Sequence, residues 1–118
     1  MSKYVITNGI IYTEAQVINK GYIVIENGKI SDIQKGNYAG DLKQIDVKGK
    51  HVLPGFIDIH IHGGYGEDAM DASYEGLNHL AKKLLSEGTT TFLATTMTQS
   101  DENIETALKN VVTCYQHQ

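Results

Sequence analysis

Hydrophobic patterning changes character at Pro54. Up to Leu53, short apolar runs rich in valine and isoleucine are interrupted every few residues by turn formers. From Gly55 onward, strand-like and helix-like spacings alternate. In the first part, Val5-Ile6-Thr7 and Ile10-Ile11-Tyr12 flank Asn8-Gly9, while Ile23-Val24-Ile25 and Ile30-Ser31-Asp32-Ile33 flank Asn27-Gly28. Asn-Gly between β-branched runs predicts a hairpin, because a type I′ turn needs positive φ at both central residues. A third, weaker hairpin is expected between Ile45-Asp46-Val47 and His51-Val52-Leu53, around Lys48-Gly49-Lys50. Residues 35–41, with Gly36 and Gly40, read as a loop. Residues 1–53 therefore predict a small antiparallel sheet that needs a covering layer.

The second part, residues 54–118, predicts strand, helix, strand, helix. The first strand runs from Phe56 to His62. Ser73 is placed to cap a helix whose apolar residues Leu77, Leu80, Ala81, Leu84 and Leu85 form one stripe, and Gly88 follows as its stop. Thr90 to Met97 forms the second strand. Ser100 is placed to cap a second helix, with Asp101 and Glu102 in its first turn and a stripe of Ile104, Ala107, Leu108, Val111, Val112 and Tyr115. Repeated strand–helix units imply an α/β fold with a parallel sheet. A closed (β/α)8 barrel takes about 250 residues, so two units leave sheet edges and helix stripes uncovered.

Candidate chemistry lies at the end of the first strand. Side chains alternate faces along a strand, so Ile57, Ile59 and Ile61 share one face and Phe56, Asp58, His60 and His62 the other. In a barrel the isoleucine face packs under helices and the other points inward. His60 and His62 then lie at the strand's C-terminal end, where barrel enzymes build their sites. Their spacing directs both imidazoles to one point, and neutral imidazole binds zinc, iron and nickel. His-x-His also occurs on exposed antiparallel strands. The Pro54-Gly55 boundary, the Gly63-Gly64-Tyr65-Gly66 run and the following helix and strand favour the metal reading. Gly63, Gly64 and Tyr65 are candidates for a loop that approaches substrate closely. Asp58 is one step deeper and is expected to hydrogen-bond a ligand or the backbone rather than the metal. His51, His79 and His117 are read as structural or surface residues.

Composition narrows the function classes. Net charge is -4 and all ten basic residues are lysines, scattered except for Lys82-Lys83, so no basic patch suits nucleic acid. No apolar run is long enough for a membrane span or a signal peptide. Cys114 is alone, which excludes an internal disulfide and fits a reducing, cytoplasmic setting. On its helical stripe it reads as a half-buried thiol rather than a nucleophile.

The run Pro54 to His62 resembles the opening strand of the amidohydrolase superfamily barrel. The upstream segments Ile25 to Ile30 and Lys48 to Gly55 resemble the passage from a small β-sandwich into that barrel. More specifically, His60 to Ala72 and Gly88 to Thr98 resemble the N-acetylglucosamine-6-phosphate deacetylase family. The resemblance covers essentially the whole chain. It implies a small β-sandwich portion at 1–53 and the first two βα units of a (β/α)8 barrel at 54–118. It also implies a divalent metal ion held in part by His60 and His62, with zinc and iron both admissible, and hydrolysis of an amino-sugar phosphate acetamide by an intact homodimeric enzyme. The family's bridging glutamate, further histidines, catalytic aspartate and phosphate-binding residues have no counterpart here, so no catalytic residue is assigned within the chain. A cyclic amidase of the dihydroorotase or hydantoinase type shares the barrel-opening motif and is the alternative. A truncated, non-catalytic remnant is the reading from a different class.

Two histidines fall short of the three protein ligands usual for catalytic zinc. The isolated chain is therefore expected to release no acetate from N-acetylglucosamine 6-phosphate above a His60→Ala/His62→Ala control. Release above that control would contradict this.

Overall fold

The computed structural model describes residues 2–117. It divides into two compact units, Met1–Pro54 and Gly55–Gln118. The folding pattern is mixed α/β.

The first unit is one five-stranded sheet. Its strands are β1 (Lys3–Tyr12), β2 (Val17–Glu26), β3 (Lys29–Lys35), β4 (Lys43–Asp46) and β5 (His51–Val52). The order is β3-β2-β1-β4, and β5 also pairs with β1. The Asn27-Gly28 hairpin forms as expected: Glu26 faces Lys29, and both turn residues have positive φ, 52° and 76°. Asn8-Gly9 does not form a turn. β1 runs straight through it, with Asn8 at φ 60° as a bulge in the β1–β2 ladder. A second irregularity follows between Gly9 and Ile11. An extra residue reverses the alternation of side chains. Tyr4 and Ile6 before the bulge and Ile11 after it therefore reach the same cluster, with Ile18, Ile23, Ile25, Ile33 and Val52.

The third expected hairpin is also replaced. β4 and β5 do not pair with each other; both run parallel to β1, at Tyr4–Thr7 and at Ile10–Ile11. The sheet is therefore mixed rather than purely antiparallel. Lys48 and Gly49, both at positive φ, form a jog that tracks the bulge in β1. Val47 N–H donates to Thr7 O, Gly49 N–H to Asn8 O, and Ile10 N–H to Lys50 O. The Asp46 carboxylate accepts from Lys48 N–H at 2.8 Å. That bond, then the Asn8 side chain, holds Asp46 below the usual carboxylate range. Residues 36–42 carry the chain from one side of the sheet to the other, with Tyr38 edge-on against Tyr22.

The second unit holds the parallel pair β6 (Phe56–Ile61) and β9 (Thr89–Ala94). Between them lie the short hairpin β7 (Gly63–Gly64) and β8 (Glu67–Asp68), a 3-10 turn at Ala69–Asp71, and helix α1 (Tyr74–Ser86). Helix α2 (Asp101–Gln116) follows β9. Both helices begin at the expected serines: Ser73 accepts from Gly76 N–H and Ser100 from Asn103 N–H. Gly88, at φ 92°, ends the first. Leu77, Leu80, Leu84 and Ala69 form the core, packed by Ile61, Phe92, Ala94, Val111 and Cys114.

Two details depart from the patterning. β9 stops at Ala94 rather than Met97, because its partner β6 gives way to the hairpin after His62. Ile57 and Ile59 are 66% and 74% exposed, and only Ile61 of the isoleucine face packs into the helical core. The helix stripes are partly uncovered, as expected: Leu85, Leu108, Val112 and Tyr115 are exposed, while Ala107 is buried. Among the described residues, no helix is long and apolar enough to cross a membrane.

Leu80 is 1% exposed at the centre of the helical core. Leu80→Ala is expected to destabilise the second unit by about 2–5 kcal/mol, the range for a buried leucine truncation. Urea unfolding followed by circular dichroism measures this; an unchanged midpoint would contradict the packing described.

Candidate metal centre

His60 is the penultimate residue of β6 and His62 the first residue beyond it. Their side chains converge as the two-residue spacing predicts. The rings stand edge to face, 5.0 Å between centroids, with the two Nε2 atoms 3.3 Å apart. His60 is exposed and His62 half-buried.

Each histidine is held by its neighbours. The Asp58 carboxylate accepts from the His60 backbone N–H at 3.0 Å, fixing the strand just before the pair. His62 Nδ1 is 2.9 Å from the Thr95 carbonyl oxygen. A carbonyl only accepts, so Nδ1 carries the proton and Nε2 presents its lone pair toward His60. Thr95 N–H in turn donates to Ile61 O at 2.8 Å. The main chain of one residue just after β9, Thr95, thus ties down both the strand end and the imidazole. Sequence reasoning did not single out Thr95. A role carried by main-chain atoms leaves no mark on residue type.

The pair fits a divalent ion. Tetrahedral zinc bonded to two imidazole nitrogens at about 2.0–2.1 Å sets them about 3.3–3.4 Å apart, which matches the observed 3.3 Å. Among the described residues, no group of three or more His, Cys, Asp or Glu side chains is gathered to hold an ion. His60 and His62 would therefore supply two ligands and leave the remaining positions open.

The glycine-rich run after His62 is not an open loop. Gly63 pairs with Asp68 and Gly64 with Glu67, closed by Tyr65-Gly66 with both φ values positive. A Cβ on Gly63 would lie 2.1 Å from Glu67 O, so the opposite strand itself requires glycine there. The Tyr65 hydroxyl donates to Glu87, and Lys83 Nζ lies 5.9 Å from the Tyr65 ring centre. The Tyr65 side chain is thus engaged with the α1 end of the unit.

The other histidines lie elsewhere. His51 Nδ1 is 2.8 Å from the Tyr12 hydroxyl. His79 pairs with Glu67, and His117 Nδ1 donates to Thr113 O at the end of α2. Cys114 is half-buried, and burial, then Glu75, raises its thiol above the usual range. A raised thiol has little nucleophilic thiolate at neutral pH.

The chain belongs to the amidohydrolase family, whose model matches residues 51–115; a second model, the NagA composite domain, matches residues 3–52. It is 50% identical over 105 residues to the N-acetylglucosamine-6-phosphate deacetylase of Bacillus subtilis, covering 85% of this chain and 26% of that protein. It is 51% identical over 76 residues to the enzyme of that name from Lysinibacillus sphaericus, covering 64% of this chain and 20% of that one. The crystal structure of N-acetylglucosamine-6-phosphate deacetylase from Pasteurella multocida superposes with a TM-score of 0.90 at 29% identity, covering 99% of this chain and 31% of that chain. The chain spans about a fifth to a quarter of the length of these curated relatives.

Proposed function

We propose that this chain supplies the opening part of an enzyme that hydrolyses the acetamide of N-acetylglucosamine 6-phosphate to glucosamine 6-phosphate and acetate. In this reading, residues 1–53 belong to a small β-sandwich portion. Residues 54–118 are the first two βα units of a (β/α)8 barrel, and the intact enzyme is a cytoplasmic homodimer. The single observation that carries the proposal is the convergence of His60 and His62 in a chain half-identical to a deacetylase.

His60 and His62 would hold a divalent ion through Nε2, and the chemistry supplied there would be polarisation of the amide carbonyl and a water brought toward ionisation at neutral pH. The chain's own contribution is orientation. Asp58 fixes the backbone at His60, and Thr95 O keeps the His62 proton on Nδ1 so that Nε2 is free to coordinate. Gly63, Gly64 and Tyr65 directly follow the second ligand and border the place where substrate approaches. General acid–base catalysis and phosphate recognition fall to residues that this chain does not contain.

A graft tests the reading. Residues 1–118 replace the homologous segment of the Bacillus subtilis relative, and acetate release from N-acetylglucosamine 6-phosphate is measured. The chimera is expected to be active, and His60→Ala/His62→Ala within it to lower kcat/KM by at least about tenfold, the lower end of what even outer-shell changes around a metal cost. A folded, metal-loaded chimera without acetate release, or a double variant as active as its parent, would contradict the proposal.

A further inference from the structure

One face of α1 is given over to the hairpin that follows His62. Gly76, His79, Leu80 and Lys83 recur at helical spacing along it, and Glu87 continues the line just past its end. Each meets the hairpin. His79 Nδ1 donates to Glu67 Oε1 at 2.8 Å. Gly76 is buried, and a Cβ there would lie 2.7 Å from Glu67 Oε2, so the carboxylate rests on the helix where a side chain is missing. A Cβ built on Gly64 would lie 3.4 Å from the Leu80 side chain, so this part of the hairpin faces Leu80. At the hairpin tip, Glu87 takes the Tyr65 hydroxyl and Lys83 stands over its ring.

The base of the hairpin is closed onto His62. Ala69 N–H donates to His62 O at 2.8 Å, and Ala69 is buried in the helical core. Asp68 caps the following turn by accepting from Met70 N–H, while Asp71 accepts from Asp68 N–H. Any displacement of the hairpin from α1 would therefore be transmitted to the His62 backbone, and through it to the bond between Nδ1 and Thr95 O.

We propose that the hairpin Gly63–Asp68 is a clamp that sets the position of His62, and that Glu67, His79 and Tyr65 are positioning residues acting through it. The proposal rests on the reading of His62 as a metal ligand. It assigns Glu67, His79 and Tyr65 a role carried by the hairpin's contacts with α1 and its end. Glu67 acts as a hydrogen-bond acceptor for His79, so a neutral acceptor of the same shape serves in its place.

Two measurements on the 118-residue chain test it. The first is zinc affinity by competition with a chromophoric chelator. The second is the His62 side-chain N–H signal in the metal-free chain by nitrogen-15 NMR. Glu67→Ala is expected to weaken zinc binding about tenfold, within the range for outer-shell partners, and Glu67→Gln to stay within about threefold of the parent. The His62 Nδ1–H signal is expected to be protected in the parent and in Glu67→Gln but broadened by exchange in Glu67→Ala. Zinc affinity and His62 signal both unchanged in Glu67→Ala would overturn the clamp, as would Glu67→Gln behaving like Glu67→Ala. Should Glu67→Ala fail to fold, Tyr65→Phe, which removes only the hydroxyl bond to Glu87, carries the same two readouts. Its affinity and His62 signal matching the parent would then overturn the clamp. Should the parent bind no zinc, the ligand reading fails by itself, and the His62 signal still decides the clamp.

Discussion

The hydrogen bond from His62 Nδ1 to Thr95 O is the constraint on which the site depends. It is a bond between the ends of two parallel strands, so it exists only when β6 and β9 are paired in their observed register. It selects the tautomer that leaves Nε2 bare, at the position where His60 Nε2 converges. Thr95 N–H on Ile61 O binds the same two strand ends through the backbone. The α1 connection makes the pairing parallel, and Leu77, Leu80 and Leu84 on that helix, packed with Ile61, Phe92 and Ala94, hold the register. Core burial, strand register and imidazole chemistry are thus linked in one short chain of contacts.

Local signals were legible where one residue type has one physical use. Ser73 and Ser100 cap helices because a hydroxyl satisfies an orphan amide. Asn27-Gly28 turns because both residues tolerate positive φ. The His60–His62 pair follows from the period of two along a strand, and Asp58 bonds the backbone as its deeper position suggested. Asn8-Gly9 shows the limit of such signals. The same dipeptide accommodates positive φ equally well as a bulge, and β2 and the β4–β5 edge, pairing with β1 on both sides, decide for the bulge. The parallel placement of β4 and β5 is a tertiary choice that no local pattern encodes.

The least legible parts are contacts made by the main chain or across elements. Thr95 acts through its carbonyl, which every residue has. Glu67, His79 and Glu87 are ordinary surface types until the hairpin is docked on α1. The glycine run after His62 suggested close approach of a ligand, and its first residue is also required by the opposing hairpin strand. Glycine reports that something comes near; it does not report what. The exposed Ile57 and Ile59 make the complementary point. Apolar patterning marks a face as suited to burial, and whether that face is covered depends on what packs beside it.

The most direct test of the central claim is a crystal structure of the chain soaked with zinc, with anomalous data collected at the zinc edge. The account predicts a peak bonded to Nε2 of both His60 and His62 at about 2.0–2.1 Å, with His62 Nδ1 still on Thr95 O. Zinc bound instead at the Glu67–His79 pair or at His51, with the His60–His62 pair free of anomalous signal, would contradict it.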